Sequence, residues 1–131
     1  MPRYRRTVLS LAILVLGCTS ARAAESCLSD TSARERVTGT LSIERVKDGL
    51  GRLEWHFLLT LEAPVCLATE DPIDRVEGTR SIHIFATDPA ISARISRHVG
   101  SSIAVRGRPF PAHTSQHHAP IVMEVAEIGG K

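Results

Sequence analysis

Three of the chain's six histidines sit within one short stretch, residues 111–120 (PAHTSQHHAP). His113 and His117 have the H-x3-H spacing used by zinc sites, and His118 is adjacent. Neutral imidazole suits Zn, Cu and Ni, so a transition-metal site on His113, His117 and His118 is one expectation. Two features weigh against it. Pro111 and Pro120 bracket a loop rather than a helix, so the spacing does not fix a common face. Adjacent histidines on extended backbone also point opposite ways. The bland alternative is a loop whose histidines are solvated or bonded to its own backbone.

Enzymatic chemistry is harder to assemble. The chain has no G-x-S-x-G, no H-E-x-x-H and no cysteine left over for a Cys–His pair. The carboxylates at Glu70-Asp71 and Asp74/Glu77 lie in a polar stretch and read as solvated charge. With no acid–base or nucleophile–base pair to name, the protein is expected not to be an enzyme.

The elements that position these residues follow from hydrophobic periodicity. Residues 36–46 alternate Val37, Gly39, Leu41 and Ile43 with Thr38, Thr40, Ser42 and Glu44, which predicts a half-buried strand. Gly39 within it suggests a bulge or a bend, as at a barrel corner. Asp48-Gly49 and Gly51 predict a turn. Residues 53–61 alternate again, with Leu53, Trp55, Phe57, Leu59 and Leu61 expected inward and Glu54, His56, Leu58 and Thr60 on the other face. On that stripe Trp55, the single tryptophan, is expected in the core. Residues 63–78 read as a long connection. A third strand over 80–86 puts Ile82 and Ile84 inward and His83 outward. Asp88 and Pro89 are good N-cap and first-turn residues for a short helix carrying Ile91, Ile95 and Val99, stopped by Gly100. Arg94 and Arg97 read as its solvent face. Strands over 101–107 and 120–128 complete the set.

The resulting order, β-β-β-α-β-β, predicts an all-β fold with one short helix: a small five-stranded OB-like barrel. Such barrels bind on the outer face of the second and third strands, beside the loop between the fourth and fifth. His56 and His83 fall on that face and residues 111–120 form that loop. The runner-up architecture is an open five-stranded sandwich.

The N-terminus carries a different signal. Arg3, Arg5 and Arg6 precede an apolar run at 7–17, and Ala21-Arg22-Ala23 offers a cleavage site. Residues 1–23 therefore read as a signal peptide and 24–131 as a single domain with no transmembrane segment. Val15-Leu16-Gly17-Cys18 gives the alternative of a lipoprotein anchored through Cys18. Of 16 Lys and Arg, four lie in the leader, which has no acids; the remaining 12 face 14 acids. That balance lacks the basic footprint of a nucleic-acid binder. Cys27 and Cys66 are an even pair in an exported chain and read as one disulfide, consistent with a periplasmic or secreted location.

Gly107, Phe110-Pro111-Ala112, Thr114, His117-His118 and Pro120, followed by the apolar run 121–125, resemble the C-terminal signature of a bacterial family, domain of unknown function 4431. Upstream, Val37-x-Gly39-x-Leu41, Trp55-x-x-x-Leu59, Pro64-x-Cys66 and the run 100–107 are similar to the same family. The chain departs where that family shows Gly-His-His-His after the threonine; here Ser115-Gln116-His117-His118 stands, one histidine fewer. The resemblance implies export and a shared fold, and carries no activity.

The leading functional expectation is an exported, non-catalytic binding module of the cell envelope. Its contact surface would be loop 111–120 with His56 and His83, and its partner an envelope protein, a small ligand or a glycan. A periplasmic metal-binding protein using the loop histidines is one alternative. An inhibitor or immunity protein against an envelope hydrolase is another.

Overall fold

The alternating segments fold as their patterns require and then pair beyond what the patterns disclose. A computed structural model describes residues 26–114 and 116–130; the expected leader at 1–23, with Cys18, lies outside the described residues. The elements are β1 (Ser26–Ser29), β2 (Glu35–Lys47), β3 (Leu53–Ala68), β4 (Val76–Phe85), α1 (Pro89–Arg97), β5 (Ser102–Pro111) and β6 (Ile121–Gly130). β3 pairs antiparallel with β2 and β4, β5 pairs antiparallel with β2 and β6, and β4 pairs parallel with β6. Following the pairs from β2 through β3, β4, β6 and β5 returns to β2. The ring is a closed five-stranded barrel with α1 between its third and fourth strands, the expected OB-like arrangement. Within the ring, closure leaves no free edge to guard; the β2–β3 hairpin that projects beyond it keeps unpaired edges.

The inward faces meet in one core. Leu41, Leu59, Ile82, Ile84, Ile103, Ile121 and Met123 are fully buried. Each such side chain contributes about 1.5–3 kcal/mol relative to exposure. α1 adds Ile95, also fully buried, with Ile91 packed beside it. Asp88 caps the helix by accepting from the Ala90 N–H at 2.8 Å. Gly100, with φ +89°, turns the chain away after it.

Several expectations are corrected. The polar lead-in contains a sixth strand, β1, parallel to β3, with Cys27 opposite Cys66. At four residues it is too short to show a period. The two cysteines form the disulfide, their Cα atoms 4.3 Å apart. The supposed connection at 63–78 is largely strand: β3 runs on to Ala68 and β4 begins at Val76. Pro64 is tolerated because the β3–β4 register shifts between Thr60 and Val65, where a ladder donor is not required. Of the two expectations for Gly39 the bulge is absent: it sits in unbroken pairing with both Leu61 and Ile103. Its lack of a side chain matters because a Cβ there would meet the Thr60 carbonyl oxygen. The bulge in the β5–β6 pair falls between Arg106 and Gly107, and a Cβ on Gly107 would meet the Glu124 carbonyl.

Trp55 is not in the core; it is 61% exposed, and Leu53 is 47% exposed. The β2–β3 hairpin outruns the barrel: β2 pairs with β5 only as far as Thr40, and β3 with β4 only from Phe57 onward. The inward stripe therefore continues into solvent. Val99 is likewise exposed, because α1 ends at Arg97. Arg94 is exposed as expected, and its guanidinium also donates to the Ile128 carbonyl at 2.8 Å, tying α1 to β6.

Candidate functional site

Two strand registers and one loop bring four histidines together. On β3 and β4, Leu58 pairs with His83, so His56, two residues from Leu58, is a diagonal neighbour of His83 on the same outer face. Nδ1 of His56 stands 3.3 Å from Nε2 of His83. β6 runs parallel to β4 with Val122 opposite His83, which lays the chain just before β6 alongside β4. The loop at 112–120 is closed at its base by the Ala112 N–H donating to the Pro120 carbonyl. A turn within it has the His117 N–H donating to the Thr114 carbonyl. Folded this way, the loop puts His118 against His56, ring centroids 4.0 Å apart, and 5.7 Å from His83. His117 lies 6.1 Å from His83 and packs edge-on against Phe110, which in turn packs on Phe85.

The loop covers what it lies on. His83 is on the outer face as expected, yet only 7% exposed. Leu58, Ala119 and Val122 are buried there too, apart from the barrel core. The face that OB barrels generally use for ligands is thus partly occupied here by the protein's own loop. What stays open is a cleft of about 270 Å³ lined by Glu54, His56, His83, Phe85, Gln116 and His117. A larger cleft, about 500 Å³, opens beside the start of α1, but it gathers no comparable set of donors.

Electrostatics follow from this burial. The His83 imidazole is pushed down to about 4, first by burial and then by repulsion from His56, His118 and His117. Burial and His118 also lower His56, partly offset by Glu54, whose Oε2 lies 3.5 Å from His56 Nε2. Burial lowers His117, with His113 and His118 adding to it. His83, His56 and His117 are thereby biased toward neutral imidazole, the form that donates a lone pair to a metal. Nδ1 of His83 is buried without a hydrogen-bond partner.

The ring nitrogens divide the roles. The His113 backbone N–H donates to His117 Nδ1 at 3.1 Å. That makes Nδ1 an acceptor and leaves the neutral ring's proton on Nε2, so His117 in this pose is a donor rather than a ligand. His113 itself is exposed and meets the cluster through its backbone. Of the expected metal set, then, the structure brings His117 and His118 to His56 and His83 and leaves the His113 ring outside. Sequence reasoning missed Glu54, which shares the outer face with His56 at i, i+2, and Phe110, whose ring holds His117. The sixth histidine, His98, bonds the Arg94 carbonyl at 2.7 Å at the end of α1.

Two imidazole nitrogens on one tetrahedral Zn(II), each at about 2.0–2.1 Å, stand about 3.3 Å apart. The His56–His83 pair has that separation. Among the described residues no three His, Cys, Asp or Glu side chains already converge on a metal position. The nearest further imidazole is that of His118, its centroid 4.0 Å from that of His56 and 5.7 Å from that of His83.

No curated protein matches this chain. Residues 81–129, from the middle of β4 through β6 with α1 and the histidine loop, match the family model described as "Domain of unknown function (DUF4431)", while β1, β2, all of β3, the start of β4 and both disulfide cysteines lie outside the match. Over that span the chain resembles a family defined by its sequence and not by an activity.

Proposed function

We propose that this protein is an exported, non-catalytic binding module whose ligand is a first-row transition-metal ion. His56 Nδ1 and His83 Nε2 are the first two donors and His118 the third. The observation that carries the reading is the 3.3 Å separation of the two ring nitrogens, fixed by the β3–β4 register. Glu54 is placed to orient His56, its carboxylate facing Nε2 so that Nδ1 turns to the metal. The lowered His83 value means protons compete with the metal only in acid. The coverage of His83 by the loop favours a small ion over a glycan or protein, which would have to displace the loop to touch it. A disulfide-linked chain suits the oxidising compartment that export implies. Cu(II), Ni(II) and Zn(II) are the candidates that imidazole donors suit.

The test is calorimetric titration of residues 24–131 with Zn(II), Cu(II) and Ni(II), beside His56→Ala, His118→Ala and His113→Ala variants. The expected result is one ion per chain, lost or at least tenfold weaker in the first two variants and retained in the third. Dissociation constants no tighter than about 0.1 mM, an affinity near 5.5 kcal/mol, would sink the reading. So would dependence on His113 alone.

A further inference from the structure

The free end of the β2–β3 hairpin has two chemically different faces. Register places Ile43 opposite Phe57, Arg45 opposite Trp55 and Lys47 opposite Leu53. One face of the ribbon thus carries four apolar side chains and two cations, and no acid. Glu44 and Glu54 fall at the alternate positions, on the side of His56. At the tip, Leu50 is 80% exposed. Arg52 beside it is neutralised by Asp48, with Nε 2.7 Å from Oδ2. The Arg45 guanidinium lies over the Trp55 ring, 5.4 Å from its centroid. Beyond Thr40 and Phe57 neither β5 nor β4 pairs with this ribbon.

We infer that this hairpin face docks on an anionic lipid surface, with Leu50, Leu53 and Trp55 entering the interface and Arg45 and Lys47 meeting the headgroups. Tryptophan with leucine on the apolar side and Lys or Arg at the headgroup level is the composition of an interfacial anchor. Charge decides the occupant: both unneutralised cations share the apolar face and the acids are turned away from it, so a negatively charged plane fits that face. An apolar protein surface would leave Arg45 and Lys47 unmatched. The inference is independent of the metal reading, because His56 and Glu54 point to the other side of the ribbon.

The single tryptophan makes the test direct. Residues 24–131 contain every element of the barrel and omit the apolar leader, which would bind lipid by itself. They are mixed with phosphatidylglycerol vesicles or with phosphatidylcholine vesicles, and Trp55 emission and flotation are followed. The expected result is a blue shift and flotation with the anionic vesicles only, abolished by Leu50→Ser/Leu53→Ser. Each cation near such a surface is worth about fivefold in affinity, so Arg45→Ser/Lys47→Ser should bind about 30-fold more weakly. Circular dichroism melts of both variants should match the parent, since the replaced side chains lie outside the core. The inference is overturned by unchanged emission with anionic vesicles, or by equal binding to neutral ones. It is also overturned by emission already blue-shifted without lipid at concentrations where the chain is dimeric, which would assign the face to a second copy.

Discussion

Acidification should unfold this protein through His83. The imidazole is buried beside three others and held near 4, whereas the same group in an unfolded chain titrates near 6.5. Between those values the unfolded state binds the proton more readily, so stability is complete above about pH 6.5 and falls as pH drops toward 4. Integrating the difference gives a loss of about 2 kcal/mol at pH 5 and on the order of 3 kcal/mol at pH 4. That is a large share of the 5–15 kcal/mol typical of a domain. The perturbation that isolates it is His83→Leu, which keeps an outer-face position filled while removing the titrating ring and its unpartnered Nδ1. Urea unfolding with chelator present, at pH 7.5, 5 and 4, is the assay. The parent's midpoint should fall by about 1–2 M between pH 7.5 and pH 5, taking a slope of about 1–2 kcal/mol per molar urea. The variant should keep most of its stability, losing only what His56 and His117 contribute. Equal pH dependence in parent and variant would refute the argument, since no other described histidine is buried as deeply.

Three further outcomes follow from the packing. Reducing the Cys27–Cys66 bond, or replacing both with alanine, opens a 39-residue separation and should cost about 4 kcal/mol on chain-entropy grounds, read as a lower urea midpoint. Gly107→Ala should destabilise by more than about 2 kcal/mol in the same assay, because its Cβ meets the backbone carbonyl of Glu124 and backbone yields little; Gly49→Ala, with open space around it, should stay within about 0.5 kcal/mol. Glu54→Gln should weaken metal affinity about tenfold while leaving the melting curve of the metal-free chain unchanged, a split that calorimetry and circular dichroism together can read.

The barrel was legible in the sequence because its signals are local. Alternation in 36–46 and 53–61, the turn at Asp48-Gly49, the Asp88-Pro89 start of α1 and the order of elements are all set within a few residues of one another. What failed did so where the answer lies in another strand. Alternation gives the face of Trp55 but not what covers it, and here no core element does, because the neighbouring strands stop short and only the Arg45 guanidinium lies over the ring. β1 has too few residues to show a period; only its pairing with β3 defines it. Pro64 argued against a strand until a register shift made room for it. The histidine site divides the same way. His56 and His83 on one outer face were readable from period two, and their 3.3 Å approach is a matter of register, which no single segment encodes.

The same loop that assembles the site also limits what can use it. An OB-like barrel ordinarily offers its outer sheet to a chain of sugars or nucleotides. Here the loop's histidines lie across that sheet, where Leu58, Val122 and His83 are buried, and Phe110 packs edge-on against His117. A polymer would have to remove the loop and re-expose those apolar side chains, at about 25 cal/mol for every Å² returned to water. An ion asks for less, with the two strand histidines already at ligand spacing and biased toward the neutral form. The covering that buries this face is therefore also what lowers His83, and on the proposed metal reading a variant with the loop shortened should lose both the lowered value and the metal. Deleting residues 114–117 should return His83 toward 6.5 in NMR titration and abolish metal binding. Metal affinity persisting after the deletion would show that the strand pair suffices and that the loop serves another end.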